Sequence, residues 1–219
     1  MANPCPAGLI PLYSCLSMAK FYDQSIRKYL AELGSDRAIP GGGSAAALTG
    51  ALGNALSLMV ARFSVRRQKT VKDQRGLARL TQALIKLEPQ IARVIDEDPK
   101  IFSKVAKCYS IERKADTEGK KKAATMLMDQ ALSEAFQVQA KLAFLLVMAL
   151  RVNKDLEPLA SGSVKNDLNV SRSLFCGAYE GAISTCEINL KYLTDAARKK
   201  LLTGELQRIQ NDFRKVNNG

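Results

Sequence analysis

Hydrophobic positions recur along this chain at spacings of three and four residues, which is the period of an amphipathic helix. The first such segment ends at Gly34, a residue type that commonly stops helices. Its hydrophobic positions are Phe21, Ile26, Tyr29, Leu30 and Leu33. After a loop over 35–43, Ser44 can serve as the N-cap of a second helix that runs to about Ser64.

The middle of the chain predicts an interrupted helical region. Apolar residues alternate at coiled-coil spacing over 77–94, at Leu77, Leu80, Leu84, Leu87, Ile91 and Val94. Pro89 inside this seam predicts a kink or a break. Asp98 followed by Pro99 is a natural N-cap and first helical position, so a separate helix is expected from there to about Tyr109.

The last hundred residues predict two long helices and a short one. A polar loop over 112–119 leads into a helix from about Lys120 to Asn153, whose second half is apolar nearly all round and is expected to be buried. A loop over 155–163 precedes a helix from Lys165 to Leu193, and a short polar helix closes the chain.

The pattern as a whole predicts an all-α, single-domain bundle of about six to seven helices with two long central helices, because no segment alternates with the period-two pattern of strands. The domain is expected to span 19–219. Residues 1–18 carry three prolines and no helical pattern, so they are interpreted as a flexible N-terminal extension.

Composition restricts the chemistry. The chain has no histidine, so acid/base catalysis must use Asp, Glu, Lys, Cys or Tyr, and a Cys/His metal site is excluded; no metal is expected. Its five cysteines are odd in number and widely spaced, as in free thiols of a reducing, cytoplasmic environment. The longest apolar stretch, Leu142 to Leu150, is too short to cross a bilayer, and no membrane partner is expected.

The net charge of +12 favours an acidic partner or a solvated basic surface. Arg66 and Lys121 stand in two basic clusters that could hold the acidic tail of a substrate. A basic nucleic-acid-binding bundle is the alternative, but the helix-turn-helix, zinc-finger and RNA-binding aromatic signatures are all missing. Nucleic acid is therefore not expected as a partner.

Three polar features could form a site. Pro40, Gly41, Gly42 and Gly43 lead into Ser44 at a predicted helix start, which suits either an anion-binding loop or a tight turn. Asp98 is either a general acid/base or a helix cap. Asp167 and Asn189 lie in an otherwise apolar-patterned helix, where they could bind a ligand or a neighbouring helix.

Three segments together resemble the cyclodeaminase/cyclohydrolase family, which includes the C-terminal domain of formiminotransferase-cyclodeaminase and free-standing methenyltetrahydrofolate cyclohydrolases. Ile39 to Val60 reads IPGGGSAAALTGALGNALSLMV, like the family's glycine loop and Ala/Gly-rich helix. Val94 to Phe102 is similar to its Asp-x-Asp-x-x-x-Phe stretch, and Ser163 to Leu190 to its Ser-Asp-Leu helix. Pro99 departs from the family pattern, which has a small or polar helix former there.

The resemblance implies an enzyme that hydrolyses 5,10-methenyltetrahydrofolate to 10-formyltetrahydrofolate, or a cyclodeaminase that forms the methenyl compound with release of ammonia. It places Asp98 as the catalytic acid/base, and Asp167 and Asn189 as substrate-binding residues beside a pocket shaped by the loop from Pro40 to Ser44. It further implies a homodimer, a polyglutamylated folate as substrate, and no other cofactor. A non-catalytic helical dimer that binds folate or a protein is the alternative of another class.

Overall fold

A computed structural model describes residues 20–65, 70–160 and 162–218 of the chain. Over these residues the protein is all-α, with no strand, as the pattern predicts. The helices are α1 (Ile26–Leu33), α2 (Gly42–Ser64), α3 (Val71–Arg113), α4 (Glu118–Leu156), α5 (Val164–Tyr192) and α6 (Ala196–Asn218), with a short 3-10 turn at Glu157–Leu159. The predicted N-terminal extension, 1–18, lies outside the described residues.

The expected break between two helices in the middle of the chain is wrong. α3 is one helix of 43 residues that runs through Pro89 and Pro99. Pro89 lies on the exposed side, where water can satisfy the carbonyl that its missing N–H leaves open. Buried residues such as Ile91 and Val94 pack between the two prolines. Tertiary packing therefore overrides the local stop signals.

Other boundaries also differ from the prediction. Ser44 is not an N-cap: Gly41 caps α2, and Ser44 is its third helical residue. α1 begins at Ile26 because Ser25 accepts a hydrogen bond from the backbone N–H of Lys28. The closing helix α6 is 23 residues long rather than short.

The long helix α4 is the centre of the bundle, as predicted. It packs against α3, α5 and α6, and its middle turns bury Phe136, Leu142 and Leu146 completely. These residues belong to the larger of two hydrophobic clusters, which surrounds the N-terminal half of α2. A smaller cluster, which includes Leu58 and Leu168, joins the other end of α2 to the start of α5.

The helices α2 and α5 pack closely because their contact is built from small residues. A Cβ added at Gly53 would lie 3.0 Å from the ring of Phe175, and one at Gly181 would lie 3.1 Å from the Cβ of Ala46. Ala46 precedes Gly53 on α2, whereas its contact Gly181 follows Phe175 on α5, so the two helices run antiparallel. The Ala/Gly-rich sequence of α2 thus allows the two helices to pack closely.

Two helical stretches, Gly42–Ser64 and Glu118–Leu159, are long and apolar enough to cross a membrane by length and composition, with mean hydropathies of 1.4 and 1.5. Core helices of a bundle pass the same test, and 56% of each apolar window is buried inside this one. Their apolar character is accounted for in large part by the core that they form.

Candidate functional site

Asp98 lies where three helices meet. Its helix, α3, presents the carboxylate to the first turn of α2 and to the middle of α4. The backbone N–H of Ser44 donates to Oδ2 at 3.1 Å, and Nε2 of Gln139 donates to Oδ1 at 2.7 Å. Asp98 is therefore not the cap of its own helix. It accepts one of the free N–H groups at the start of another helix.

Gly43 makes this meeting possible. A Cβ added to Gly43 would overlap both Oδ1 of Asp98 and Nε2 of Gln139, and its neighbour Gly42 has open space instead. The sequence pattern singled out the glycine run, and the structure gives a specific reason for the last glycine of that run: the carboxylate and the amide occupy the volume of the missing side chain.

Ser44 connects the loop to the turn of α3 that carries Asp98. Its Oγ donates to the carbonyl of Ile95 at 2.8 Å, and it accepts from the hydroxyl of Tyr29, 3.1 Å away. In a regular helix the backbone N–H of residue 99 would donate a hydrogen bond to the carbonyl of Ile95, but proline has no backbone N–H. The proline thus opens the acceptor that Ser44 uses.

The electrostatics of Asp98 are a balance between burial and hydrogen bonding. Burial raises the pKa of the carboxyl, while the donors Gln139 and Ser44 oppose that rise by favouring the ionised form. The positive end of α2 acts in the same direction as the donors. Burial and the charge of Asp98 also raise the pKa of Tyr29. A carboxyl with a raised pKa beside an exposed loop suits the transfer of protons.

The predicted loop residues lie together beside Asp98. Pro40 is buried after a cis peptide bond from Ile39, Gly41 is half-buried, and Gly42 is exposed. Ser44 is fully buried. The outer surface of the loop is therefore open to a ligand at Gly41 and Gly42, and its inner surface holds the carboxylate.

Asn189 and Asp167 lie at opposite ends of α5. The amide of Asn189 donates to the carbonyl of Thr185, one turn earlier in the same helix, at the end of α5 that packs beside the start of α2. Asp167 is in the first turn, next to Leu168 of the smaller cluster. That end of the bundle is about 20–25 Å from Ser44 along α2, so one protomer does not bring Asp167 to Asp98.

Of the two basic residues predicted to bind the substrate, the one that the structure describes, Lys121, lies away from the site. Lys121 is exposed in the first turn of α4 and pairs with Glu118 at 3.0 Å. It precedes Gln139 on the same helix by about 27 Å, at 1.5 Å of rise per residue. Arg66 lies outside the described residues.

Two residues of this constellation were missed in the sequence. Gln139 is a polar residue on the apolar side of the helical pattern of α4, and its side chain is fully buried. Tyr29 reads as one more core residue of α1, yet its hydroxyl bonds to Ser44. A polar side chain at a position where the helical pattern demands an apolar one was the available signal for Gln139.

A cavity of about 410 Å³ opens beside the neighbouring turns of α3, and it is lined by Lys20, Tyr22, Asp23, Arg93, Asp96, Glu97 and Lys100. Oδ1 of Asp96 forms part of its wall by accepting the backbone N–H of Phe21 at 2.6 Å. Among the described residues, no three Cys, Asp or Glu side chains cluster so as to hold a metal ion.

Comparison with known proteins places this geometry in a family context. The sequence profile described as formiminotransferase-cyclodeaminase matches residues 25–208. The chain is 30% identical over 179 residues to a formimidoyltransferase-cyclodeaminase of Rattus norvegicus, a match that covers 81% of this chain and 32% of that protein. The chain thus spans about a third of the length of this relative.

A second kind of relative matches over most of its own length. The chain is 28% identical over 183 residues to a methenyltetrahydrofolate cyclohydrolase of Methylorubrum extorquens, covering 80% of this chain and 83% of that one. In structure, it resembles a formiminotetrahydrofolate cyclodeaminase of Thermotoga maritima with a TM-score of 0.76 and 21% identity, covering 89% of this chain and 92% of the other. This last likeness supports the fold alone.

Proposed function

Because the chain belongs to the formiminotransferase-cyclodeaminase family, we propose that it is an enzyme of tetrahydrofolate one-carbon interconversion that hydrolyses 5,10-methenyltetrahydrofolate to 10-formyltetrahydrofolate. The observation that carries the proposal is the carboxyl of Asp98, whose pKa burial raises and whose two oxygens are held by Ser44 and Gln139 beside the exposed glycine loop. Hydrolysis is placed first because the cyclohydrolase relative matches this chain over most of its own length.

The chemistry needs one group that takes up and returns a proton. Water adds to the cationic carbon between N5 and N10, and Asp98 accepts the proton that the water loses. As the bond from that carbon to N5 breaks, Asp98 returns this proton to N5. The remaining hydroxyl proton leaves to solvent, and a formyl group stays on N10. One half-buried carboxyl thus serves both steps.

Cyclodeamination is the second candidate, because the name of the relative from Rattus norvegicus includes this activity. Here N10 of formiminotetrahydrofolate attacks the carbon of the protonated formimino group, CH=NH2⁺, and Asp98 carries the proton from N10 to the formimino nitrogen, which then leaves as neutral ammonia and leaves the positive charge on the methenyl product. The same carboxyl and the same loop serve this reaction, since both pass through a carbon bonded to N5 and N10.

We further propose a homodimer in which the two copies complete each other's site. The outer face of α2 carries the exposed side chains of Leu52, Met59 and Phe63, and α2 has no charged residue from Gly42 to Ala61. An apolar stripe of this kind is typical of a face covered by another protein chain. A second copy of the same helix is complementary to it in hydrophobicity.

The arrangement of the copies follows from the separated site residues. A two-fold axis across the middle of α2 makes the two α2 helices antiparallel. The end of α2 near Asp167 in one copy then lies beside Gly42 and Asp98 of the other. Such a dimer brings together the predicted residues that one protomer holds about 20–25 Å apart.

The acidic tail of the substrate is the least specified part. We propose that it lies along the cavity beside α3, where Lys20 and Lys100 offer amino groups to glutamate carboxylates. Lys121 would contact it only through the partner copy or not at all. The reaction is proposed to proceed in the cytoplasm with the tetrahydrofolate derivative as substrate and no further cofactor.

The decisive experiment measures the absorbance of methenyltetrahydrofolate with purified protein. Wild type should accelerate ring opening, and Asp98→Asn should lower kcat by about 10²–10⁴-fold, the usual contribution of a general acid/base. Glu88→Gln, an exposed carboxylate change on the same helix, is the matched control and should keep the wild-type rate. The same assay started from formiminotetrahydrofolate tests cyclodeamination.

The outcomes separate the classes of function. Without acceleration of either reaction, the enzyme proposal fails. Folate binding without turnover would instead support the non-catalytic dimer.

The site shared between two copies has its own test, in which Asp98→Asn and Asp167→Asn protomers are mixed, denatured and refolded together. Random pairing should restore about a quarter of wild-type activity, because half of the dimers are mixed and each holds one intact site. No restoration, with both single variants inactive, refutes sharing between copies.

A further inference from the structure

The amide of Gln139 is only half satisfied. The side chain is fully buried in the middle of α4, and its Nε2 donates to Asp98 at 2.7 Å. Its Oε1 is buried too, and no hydrogen-bond partner for it is found among the described residues. A buried carbonyl oxygen without a donor is costly, so its retention beside a carboxyl needs a physical reason.

The surroundings hold the amide and the carboxyl against each other. The backbone of Gly43 packs on both groups, with no room for even a Cβ. The other oxygen of Asp98 is tied to the N–H of Ser44. The remaining freedom of the amide is rotation about its last torsion, which is broad and nearly two-fold. A half-turn exchanges Nε2 and Oε1 in front of Asp98.

We propose that Gln139 is a positioning residue that stays hydrogen-bonded to Asp98 in both of its protonation states. Nε2 donates to the carboxylate, and after the half-turn Oε1 accepts the proton of the carboxylic acid. Oε1, which has no hydrogen-bond partner among the described residues, is the acceptor for the proton of Asp98 in its protonated state. The inference rests on the proposed function in one respect, namely that Asp98 changes its protonation state during each turnover.

The other groups around Asp98 do not provide this acceptor. The titratable neighbour from α1 is Tyr29, whose hydroxyl is bonded to Ser44. The stretch of α2 from Gly42 to Ala61 carries no charge. On α3, Glu97 is paired with Arg93 at 4.0 Å, and Lys100 is exposed. The amide from α4 is the group in contact with Oδ1 that is able both to donate and to accept.

The first test uses the wild-type protein and needs no activity. The side-chain carboxyl signal of Asp98, assigned with Asp98→Asn, is followed by ¹³C NMR as the pH is changed, together with the side-chain NH₂ signals of Gln139. We expect the Gln139 signals to shift with the same midpoint as the carboxyl. NH₂ signals that stay constant through the titration of Asp98 would overturn the proposal.

The second test uses variants. Gln139→Leu removes both donor and acceptor, so the pKa of Asp98 should rise, and the pH limb of kcat should move with it. We expect kcat to fall by roughly 10-fold or more from lost positioning, with KM changed little. Gln137→Leu is the control, since Gln137 is exposed on the same helix and bonds to Glu205. An unchanged titration and pH limb in Gln139→Leu would refute the role.

A conservative variant, Gln139→Glu, tests the same role if Gln139→Leu does not fold. Gln139→Glu keeps the size of the side chain and offers a hydrogen bond to Asp98 while the two carboxyls share one proton. Its activity should therefore be recovered toward low pH, and a profile like that of wild type would count against the proposal. If wild type catalyses neither folate reaction, the proposed function fails, while the NMR titration still decides the pairing of Gln139 with Asp98.

Discussion

Replacing Gly43 with alanine tests the central contact of the site, because one added methyl group must displace two polar groups at once. The new Cβ would overlap Oδ1 of Asp98 and Nε2 of Gln139. Neither group can easily move away. Gln139 is fully buried, and Asp98 is bonded to the backbone of Ser44. The overlap is therefore relieved only by parting the amide from the carboxyl or by shifting α2.

The magnitude follows from these two routes. Overpacking a filled site costs about 1–3 kcal/mol, and loss of a hydrogen bond to a charged group costs about 1.5–3 kcal/mol. Since relieving the overlap is what breaks the bond, the two costs overlap in part, and we expect about 2–4 kcal/mol in total. Gly42→Ala is the matched control, because its Cβ would meet no atom within 4 Å. It should change the free energy of unfolding by about 0.5 kcal/mol or less.

Urea denaturation at neutral pH, followed by circular dichroism, measures both variants. The comparison is valid if the dependence of unfolding free energy on urea is the same for wild type and variants. Equal stability of Gly43→Ala and Gly42→Ala would refute the argument, since the two substitutions differ only in the atoms that the new methyl group meets. A crystal structure of Gly43→Ala with the Asp98–Gln139 bond intact would refute it as well.

Two further predictions concern stability. Burial raises the folded-state pKa of Asp98 above its unfolded value, so its stabilising contribution is complete below the unfolded pKa and is lost as pH rises through the folded pKa. Asp98→Asn should therefore gain stability relative to wild type with rising pH, by about 1.4 kcal/mol per unit of pKa shift, and a variant that loses stability relative to wild type as the pH rises in urea titrations would contradict this. Ser171→Ala should cost about 1–3 kcal/mol in urea denaturation, because the buried hydroxyl donates to the carbonyl of Gly53 at 2.7 Å and accepts from Asn153. Ser173→Ala, an exposed serine on the same helix, should stay within about 0.5 kcal/mol, and equal costs for the two would count against the buried network.

Hydrophobic periodicity was enough to predict the helical fold, since a stripe of apolar residues requires a partner face whichever partner supplies it. It failed at the two prolines of α3. Pro89 and Pro99 are local stop signals, and the free energy that keeps the helix continuous comes from side chains on α2 and α4 that are distant in sequence. The prediction that Ser44 caps α2 was wrong for a related reason. Gly41 is the N-cap, and the hydroxyl of Ser44 donates instead to a carbonyl of α3.

The candidate site divides in the same way. The glycine run and Asp98 were recognisable because their residue types are unusual for their surroundings. The contact between Asp98 and the glycine run was not recognisable from the sequence, since it depends on how α3 is rotated against α2. Gln139 was missed because one glutamine in a long helix is common, although its position on the apolar side of the helical pattern indicated the burial that the structure shows. Asp167 was grouped with Asp98 by resemblance, and the fold separates them within one protomer.

Pro99 connects these observations, because it is both a departure from the family pattern and a neighbour of Asp98. Its ring removes the N–H that would occupy the carbonyl of Ile95, and the hydroxyl of Ser44 fills that acceptor at 2.8 Å. The N–H of the same serine holds Asp98. A residue that reads in the sequence as the start of a new helix therefore ties the glycine loop to the turn that carries the carboxyl. The departure at Pro99 is thus consistent with an ordered site, since the open acceptor is used by the loop whose position the carboxyl needs.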